Sequence, residues 1–413
     1  MKSNDSIIIL GGSHKQLPLI QKANTLGFKV ITVDKNPYSK GFSHSYVSIN
    51  ESIHDTDSIV KHLNGLQDLN IQGVCTIAAE AAISVAKLSE RLGSVSCSVD
   101  AARNATDKIL RHECFKRGEV STPKNITLDK IISINEIVKY CGFPFVLKPR
   151  DGAGSRGVQL IQSESDFVEN FKYAQSVSKY QEVIVEEFLK GSEHSIEGIV
   201  LNGQIHWTAI SDRNYDRKFE FLPFFLEDGD TMPTELNRKL ISDVKEEASK
   251  AVKSLNILNG PVKGDILISN GKVYILEIAA RLSGDYFCSH TAPLCNGIDI
   301  MKAVIVNATN GQVSTDELQQ KYEKGVALRY YWPKPGIVKS INGLEAARNV
   351  LGNVFINKEP KYEDLGIGGE ISEMKAMGDR VLAVLATGKT RFDAIESCKS
   401  SIDKISIVTT AER

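Results

Sequence analysis

Residues 260–284, GPVKGDILISNGKVYILEIAARLSG, decide how the rest of the chain reads. Two apolar, β-rich runs flank Asn270-Gly271, a dipeptide that marks a tight hairpin turn because both residues tolerate positive φ. Successive strand side chains point to opposite faces, so Glu277, Ala279 and Arg281 share one face of the second strand. Asp265 lies on the first strand. Two carboxylates approaching across a ladder need a compensating cation, and magnesium takes carboxylate oxygens together with substrate phosphates. A strict two-residue turn would oppose Asp265 to Leu276 and turn Glu277 to the other face, so a three-residue turn or a β-bulge is expected here. The alternative is a structural Glu-Arg pair on an exposed sheet face.

Upstream, GFPFVLKPRDGAGSRGVQLI (142–161) reads as strand, glycine-rich loop and strand, with Lys148 on the first strand. It is not a Walker loop, because G-K-[ST] is absent and the loop leads into a strand. A glycine-rich hairpin tip can still fold its amides over phosphates while a strand lysine reaches the same phosphates; a flexible turn with a solvated lysine is the competing reading. Next, VIVEEFLKGSEHSIEGIV (183–200) sets Glu186, Glu187 and Glu193 around a short FLKG linker. Such a linker can offer a carbonyl and an amide to an adenine edge, with a carboxylate for the ribose, or it can be a solvated charge cluster.

The N-terminal stretch SIIILGGSHKQLPLIQKANTLGFKVITVDKNP (6–37) runs strand, glycine turn, helix and strand, half of a doubly wound unit. Its GGSHKQL lacks the G-x-G-x-x-G spacing, which counts against a Rossmann oxidoreductase. The pattern continues through GVCTIAAEAAISVAKLSERLG (73–93). The expected architecture is therefore α/β and α+β multidomain: a doubly wound domain over 1–97, a β-rich domain over 98–315 with its glycine-rich lobe at about 120–190, and a small α+β domain over 316–413.

With 50 basic and 51 acidic residues the net charge is −1, which provides no overall field for nucleic acid or an anionic membrane. No apolar run approaches the ~20 residues that span a bilayer, and the first apolar run is too short for a secretory signal, so a cytoplasmic location is expected. Seven scattered cysteines without a CxxC pair read as reduced core thiols.

Taken in order, these segments resemble the ATP-grasp superfamily of carboxylate-amine ligases over nearly the whole chain. The first segment is similar to its pre-ATP-grasp domain, TDK (106–108) and FVLKP (145–149) to its two ATP lysines, VEEFLKGSEHS (185–195) to its nucleoside segment, and the strands of Asp265 and Glu277 to its metal site. The resemblance implies that Lys108 and Lys148 contact ATP phosphates and that Gly152, Gly154, Ser155 and Gly157 form a mobile lid. It further implies that Glu186, the backbone of Glu187 and Leu189, and the Glu193 side chain hold the nucleoside. Asp265 and Glu277 would bind Mg2+ (or Mn2+), and Arg281, with Lys148, would steady an acyl phosphate and its transition state. The implied activity activates a small carboxylate with ATP and joins it to an amine, releasing ADP and phosphate. The implied partners are small-molecule carboxylate and amine substrates and a second copy in a homodimer, with no nucleic acid and no membrane. Many members have Asn where this chain has Ala279, which weakens the second metal position and leaves a non-catalytic, regulatory nucleotide-binding protein as the alternative. Asp212 and Arg213 in ISDRNYDRKFEF (210–221), His290 in CSHTAPLCNG (288–297) and the GSHK turn (12–15) are candidates for holding substrate.

Overall fold

The computed structural model describes residues 4–152 and 154–410. Strand β1 (Asp5–Leu10) is buried along its whole length, as a central parallel strand covered on both faces must be. It pairs in parallel with β2 (Lys29–Val33) and β4 (Asn70–Cys75), and β3 (Val47–Ile49) completes the order β3-β2-β1-β4. Asp34, just past β2, accepts hydrogen bonds from the N–H groups of Gly12 (2.8 Å) and Asn36 (2.8 Å), so its carboxylate closes the glycine turn.

The glycine-rich lobe is a four-stranded sheet of β5 (Asn125–Leu128), β6 (Phe145–Pro149), β7 (Gln159–Ile161) and β8 (Val183–Glu187), ordered β5-β8-β6-β7. Helices Ile134–Cys141 and Glu164–Ser176 cover one face, and Phe145, Phe167 and Phe171 pack edge to face between them.

An eight-stranded sheet forms the body of the molecule. It comprises β9 (Ser192–Leu201), β10 (Gln204–Arg213), β11 (Asp230–Met232), β12 (Gly260–Ser269), β13 (Lys272–Ala279), β14 (Gly325–Tyr331), β16 (Asn353–Lys358) and β18 (Leu382–Gly388), in the order β13-β12-β9-β10-β11-β14-β18-β16. Strands β15 (Gly336–Asn342), β17 (Glu370–Ile371) and β19 (Ser406–Thr410) make a small flanking sheet. Because β11 pairs with β14, hydrogen bonding runs without a break across residue 315. Helix Arg238–Ser254, capped by Asn237, buries Val244, Ala248, Ala251 and Val252 against β12 and β13.

All seven cysteines are free and buried. No helix among the described residues is long and apolar enough to cross a membrane.

Candidate active site

The parity condition at the hairpin is met by a bulge. Asn270 (φ +50°) and Gly271 (φ +75°) form a two-residue turn closed by the pair Ser269–Lys272. The ladder then shifts register, pairing Ile266 with Ile275 but Asp265 with Glu277, so Leu276 is the extra residue. The shift brings Asp265 and Glu277 directly opposite each other on one face, where cross-strand Cβ atoms stand about 5 Å apart.

Cations surround the pair. Lys263, two residues before Asp265 on the same face, donates from Nζ to Asp265 Oδ2 (2.7 Å), and Arg213 Nη1 stands 3.6 Å from Oδ1. Arg111 Nη2 lies 3.8 Å from Glu277 Oε2. Burial opposes ionisation of Glu277, yet Lys263, Arg111, Lys108 and Arg281 override it and hold the carboxyl well below the usual range. Asp265 is also pushed down: burial works against it, and Arg213 and Lys263 prevail. Asp265 Oδ1 is buried without a hydrogen-bond donor among the described residues. Such an acceptor is costly unless something else fills it.

These carboxylates line a cavity of about 770 Å³, within the range of small-molecule sites. A void of about 30 Å³ near Cys75 and Cys97 is room for little more than a water. Lys108 reaches the large cavity from the first turn of helix Lys108–Arg117, whose N-terminus Asp107 caps by accepting from Ile109 and Leu110 N–H. Among the described residues its Nζ hydrogen-bonds only carbonyl oxygens, of Gly152 (3.2 Å) and Arg150 (3.4 Å). Burial, assisted by the nearby Arg111 charge, lowers its pKa to about 8. A buried ammonium without a carboxylate partner favours an incoming anion. Lys148 on β6 instead pairs closely with Glu186. Glu186 is buried, but Lys148 and His112 keep its pKa low.

The glycine-rich loop spans β6 and β7, with Gly152, Gly154, Ser155 and Gly157 all at positive φ. Gly152, Gly154 and Ser155 line the cavity; Gly157 packs outside it against Val177 and Pro149, and Ala153 lies outside the described residues. Met377 N–H donates to the Gly154 carbonyl (3.0 Å), tying the loop to the C-terminal segment.

Residues 188–191 carry the chain from the small sheet to the large one. Glu187 N–H donates to the Lys124 carbonyl (2.8 Å), whereas no backbone hydrogen bond of Leu189 occurs among the described residues. Val146, Phe188, Leu189, Phe225, Leu267 and Leu276 give the cavity an apolar wall, and Glu193 beside them accepts from Tyr215 Oη (2.9 Å).

Arg281 lines the cavity, but its Nε and Nη2 donate to Glu80 of the N-terminal domain, the Nε contact at 3.1 Å. Of the three substrate candidates on later segments, only Arg213 lines the cavity, pairing with Glu227 (3.0 Å). Asp212 is engaged by His194 (2.8 Å), Thr234 and Arg391 (3.1 Å). His290 packs among Tyr286 and Phe355 rings and bonds Ser289. Neither Asp212 nor His290 lines the cavity. From the GSHK turn, Lys15 does, paired with Asp285 (2.7 Å) and Glu359 (3.0 Å).

Sequence reasoning passed over Arg111, Lys263, Glu227, Asp230, Asp285 and Arg380, all cavity-lining. For Arg111 and Lys263 a signal existed: three residues after Lys108 on a helix and two before Asp265 on a strand place each on the face of its neighbour. The others are joined to the site only by long-range packing.

Residues 105–285 match the family described as the ATP-grasp domain. The alanine–anticapsin ligase of Bacillus subtilis is 30% identical over 227 residues, 48% of this chain and 46% of that protein. The N5-carboxyaminoimidazole ribonucleotide synthase of Staphylococcus haemolyticus is 21% identical over 286 residues, 68% of this chain and 71% of that protein. The chain spans about half the length of the first of these relatives. The crystal structure of an L-amino acid ligase from Bacillus licheniformis superposes with a TM-score of 0.82 at 18% identity, covering 99% of this chain and 100% of that one, a likeness of fold.

Proposed function

We propose that this chain, built around an ATP-grasp domain, is a ligase that uses ATP to activate a small carboxylate and joins it to an amine. The observation that carries the proposal is that Asp265 and Glu277, directly opposed across the bulged ladder, line one cavity with Lys108, whose ammonium hydrogen-bonds backbone carbonyls rather than a carboxylate among the described residues. The donor set suits a divalent cation: hard carboxylate oxygens, one of them buried without a hydrogen bond among the described residues. No group of three or more His, Cys, Asp or Glu side chains forms a metal cage among the described residues, so Asp265 and Glu277 are the side chains that would hold the ion. When bound, Mg2+ or Mn2+ neutralises triphosphate charge.

In this reading the adenine rests on the Phe188–Leu189 linker against Val146, Leu267 and Leu276, and the Leu189 peptide and Glu193 recognise base and ribose. Lys108 and Lys148 hold phosphate oxygens beneath Gly152, Gly154 and Ser155. Lys263 is paired with Ala279 across the ladder, so it supplies a fixed positive charge beside Asp265 where Ala279 offers no oxygen. The substrate carboxylate attacks the γ-phosphorus and the bond to the β-γ bridging oxygen breaks, leaving ADP. The amine nitrogen then attacks the acyl carbon, phosphate leaves, and the nitrogen loses a proton. Arg281, held by Glu80, faces the developing oxyanion. The glycine-rich loop excludes the water that would hydrolyse the acyl phosphate.

The test is ADP release by the purified protein with Mg2+, screening carboxylates against amines with product masses recorded. Release that needs both partners, with loss of one water in the product mass, is the expected result. If no pair raises ADP above the ATP-only blank, the chain is instead a binding protein, the reading that Ala279 favours.

A further inference from the structure

Two-ion clamps, with the ions about 3.5–4 Å apart, are common where phosphoryl groups are transferred. Each ion takes hard oxygens from the protein as well as from the phosphates. On the hairpin face that carries Asp265 and Glu277, the next pair along the ladder is Lys263 with Ala279. In the other direction along β12, two residues beyond Asp265, Leu267 lines the cavity. None of these three side chains has an oxygen. Ser195, which pairs with Asp265 from β9, offers the cavity a neutral hydroxyl and no carboxylate.

Fixed cations already stand on the flanks of the pair. Lys263 Nζ donates to Asp265 Oδ2 at 2.7 Å and so engages that oxygen. Arg213 Nη1 lies 3.6 Å from Asp265 Oδ1, and Arg111 Nη2 lies 3.8 Å from Glu277 Oε2, neither close enough for a hydrogen bond. What is left for an ion is Asp265 Oδ1, buried without a hydrogen-bond donor among the described residues, and the Glu277 carboxylate opposite it. One ion between those groups completes the face. A second, over the Lys263–Ala279 pair, would meet an ammonium and a methyl group, so like charges would repel with no ligand to offset the repulsion.

We propose that the site binds one divalent ion with the nucleotide, and that the Lys263 ammonium takes the place of a second by donating to an oxygen of the terminal phosphoryl group. The assignment rests on the ligase reading above, fixes the number of ions it needs and adds a phosphate contact. Lys263 is 8% exposed and lines the cavity, so its head group faces the space where the phosphates lie in that reading. An ammonium has three N–H groups; with one directed at Asp265, two are free to reach phosphate oxygens. As a compact point charge, it neutralises phosphate charge where a metal ion would otherwise stand. The consequence is a protein that needs no divalent cation beyond the one its nucleotide carries.

The test reads binding, not turnover, with Mn2+ as the probe ion and the β,γ-imido analogue of ATP as the nucleotide. Calorimetry measures the affinity of the analogue with and without Mn2+. Electron paramagnetic resonance of free Mn2+, with protein and analogue equimolar and a protein-free control, counts the ions held per protein. Wild type should bind the analogue more tightly with Mn2+ and hold one ion. Lys263→Ala should weaken the analogue by about 10- to 100-fold, the range for a charged hydrogen bond, and weaken ADP, which lacks the terminal group, by less. The exchange of Lys263→Ala together with Ala279→Asn removes the ammonium and supplies an amide oxygen on the same face, so that variant should hold two ions. The proposal is overturned by two ions in wild type, by undiminished analogue binding to Lys263→Ala, or by a single ion in the folded exchange variant. Mn2+ that adds nothing to analogue binding would defeat the metal site of the ligase reading and this assignment with it. Two ions in wild type with the expected gain in affinity would defeat this assignment alone, so the two failures are distinguishable.

Discussion

Replacing Glu277 by Gln tests the site at its centre. The side chain keeps its size and loses its charge while facing Lys263, Arg111, Lys108 and Arg281. At the 3.8 Å between Arg111 Nη2 and Glu277 Oε2, one ion pair is worth about 4 kcal/mol at an effective dielectric near 20. The side chain is 29% exposed to the cavity, and water there screens the figure to about 2 kcal/mol, so the variant should fold with a lowered melting temperature. Turnover should suffer more. On the proposed metal assignment the variant would lose one of two carboxylate ligands for a cation that would stabilise charge by several kcal/mol, and about 4 kcal/mol corresponds to about a thousand-fold in rate. The assay is ADP release at saturating Mg2+ with a thermal melt alongside. Turnover within tenfold of wild type in a folded variant would refute the metal assignment.

Other perturbations reach different parts of the site. Lys108 titrates near 8, and phosphates favour its charged form, so nucleotide binding should take up a proton above pH 8 and none well below it; calorimetry in buffers of different ionisation enthalpy reads this, and no uptake at pH 9 removes Lys108 from the phosphates. Gly157→Ala puts a side chain at φ +78° against Val177 and should destabilise the lobe by about 1–2 kcal/mol, seen as faster proteolysis of the loop; unchanged proteolysis would show that the loop adapts. Asp285 is held far below its usual 3.8: burial opposes ionisation, but Arg380 and Lys15 outweigh it. A carboxyl depressed on folding contributes stability that is full above its unfolded pKa and is lost only as pH falls toward its much lower folded pKa, so Asp285→Asn should be destabilising at pH 7, with the gap beginning to narrow only below about pH 4 and narrowing further in stronger acid. Urea melts at pH 7, at pH 4 and at lower pH check this, and a gap that stays constant as pH falls below 4 contradicts it.

The hairpin shows how far local reasoning reaches. Alternation and the Asn-Gly turn predicted both strands, and parity alone required a bulge or a longer turn before the carboxylates could meet. The fold supplies the bulge at Leu276. Arg281 shows where such reasoning stops: its place on the strand face was readable, its partner Glu80 was not, because 201 residues separate them. Asp212 and Arg213 stand side by side in sequence, and only the pairing of β10 with its neighbours turns one toward His194 and Thr234 and the other into the cavity.

What the chain's sequence determined by itself was everything set by spacing within one element: the buried parallel strand at the N-terminus, the glycine-rich turn after Lys148, and the face shared by Glu277 and Arg281. Backbone geometry alone enforces those relations. Tertiary structure decided which distant charges meet, joining Lys15 to Asp285 across 270 residues and bringing Arg380 to the same carboxylate across 95. Such pairs carry no local signature, because the free energy that unites them comes from the packing of whole sheets and domains.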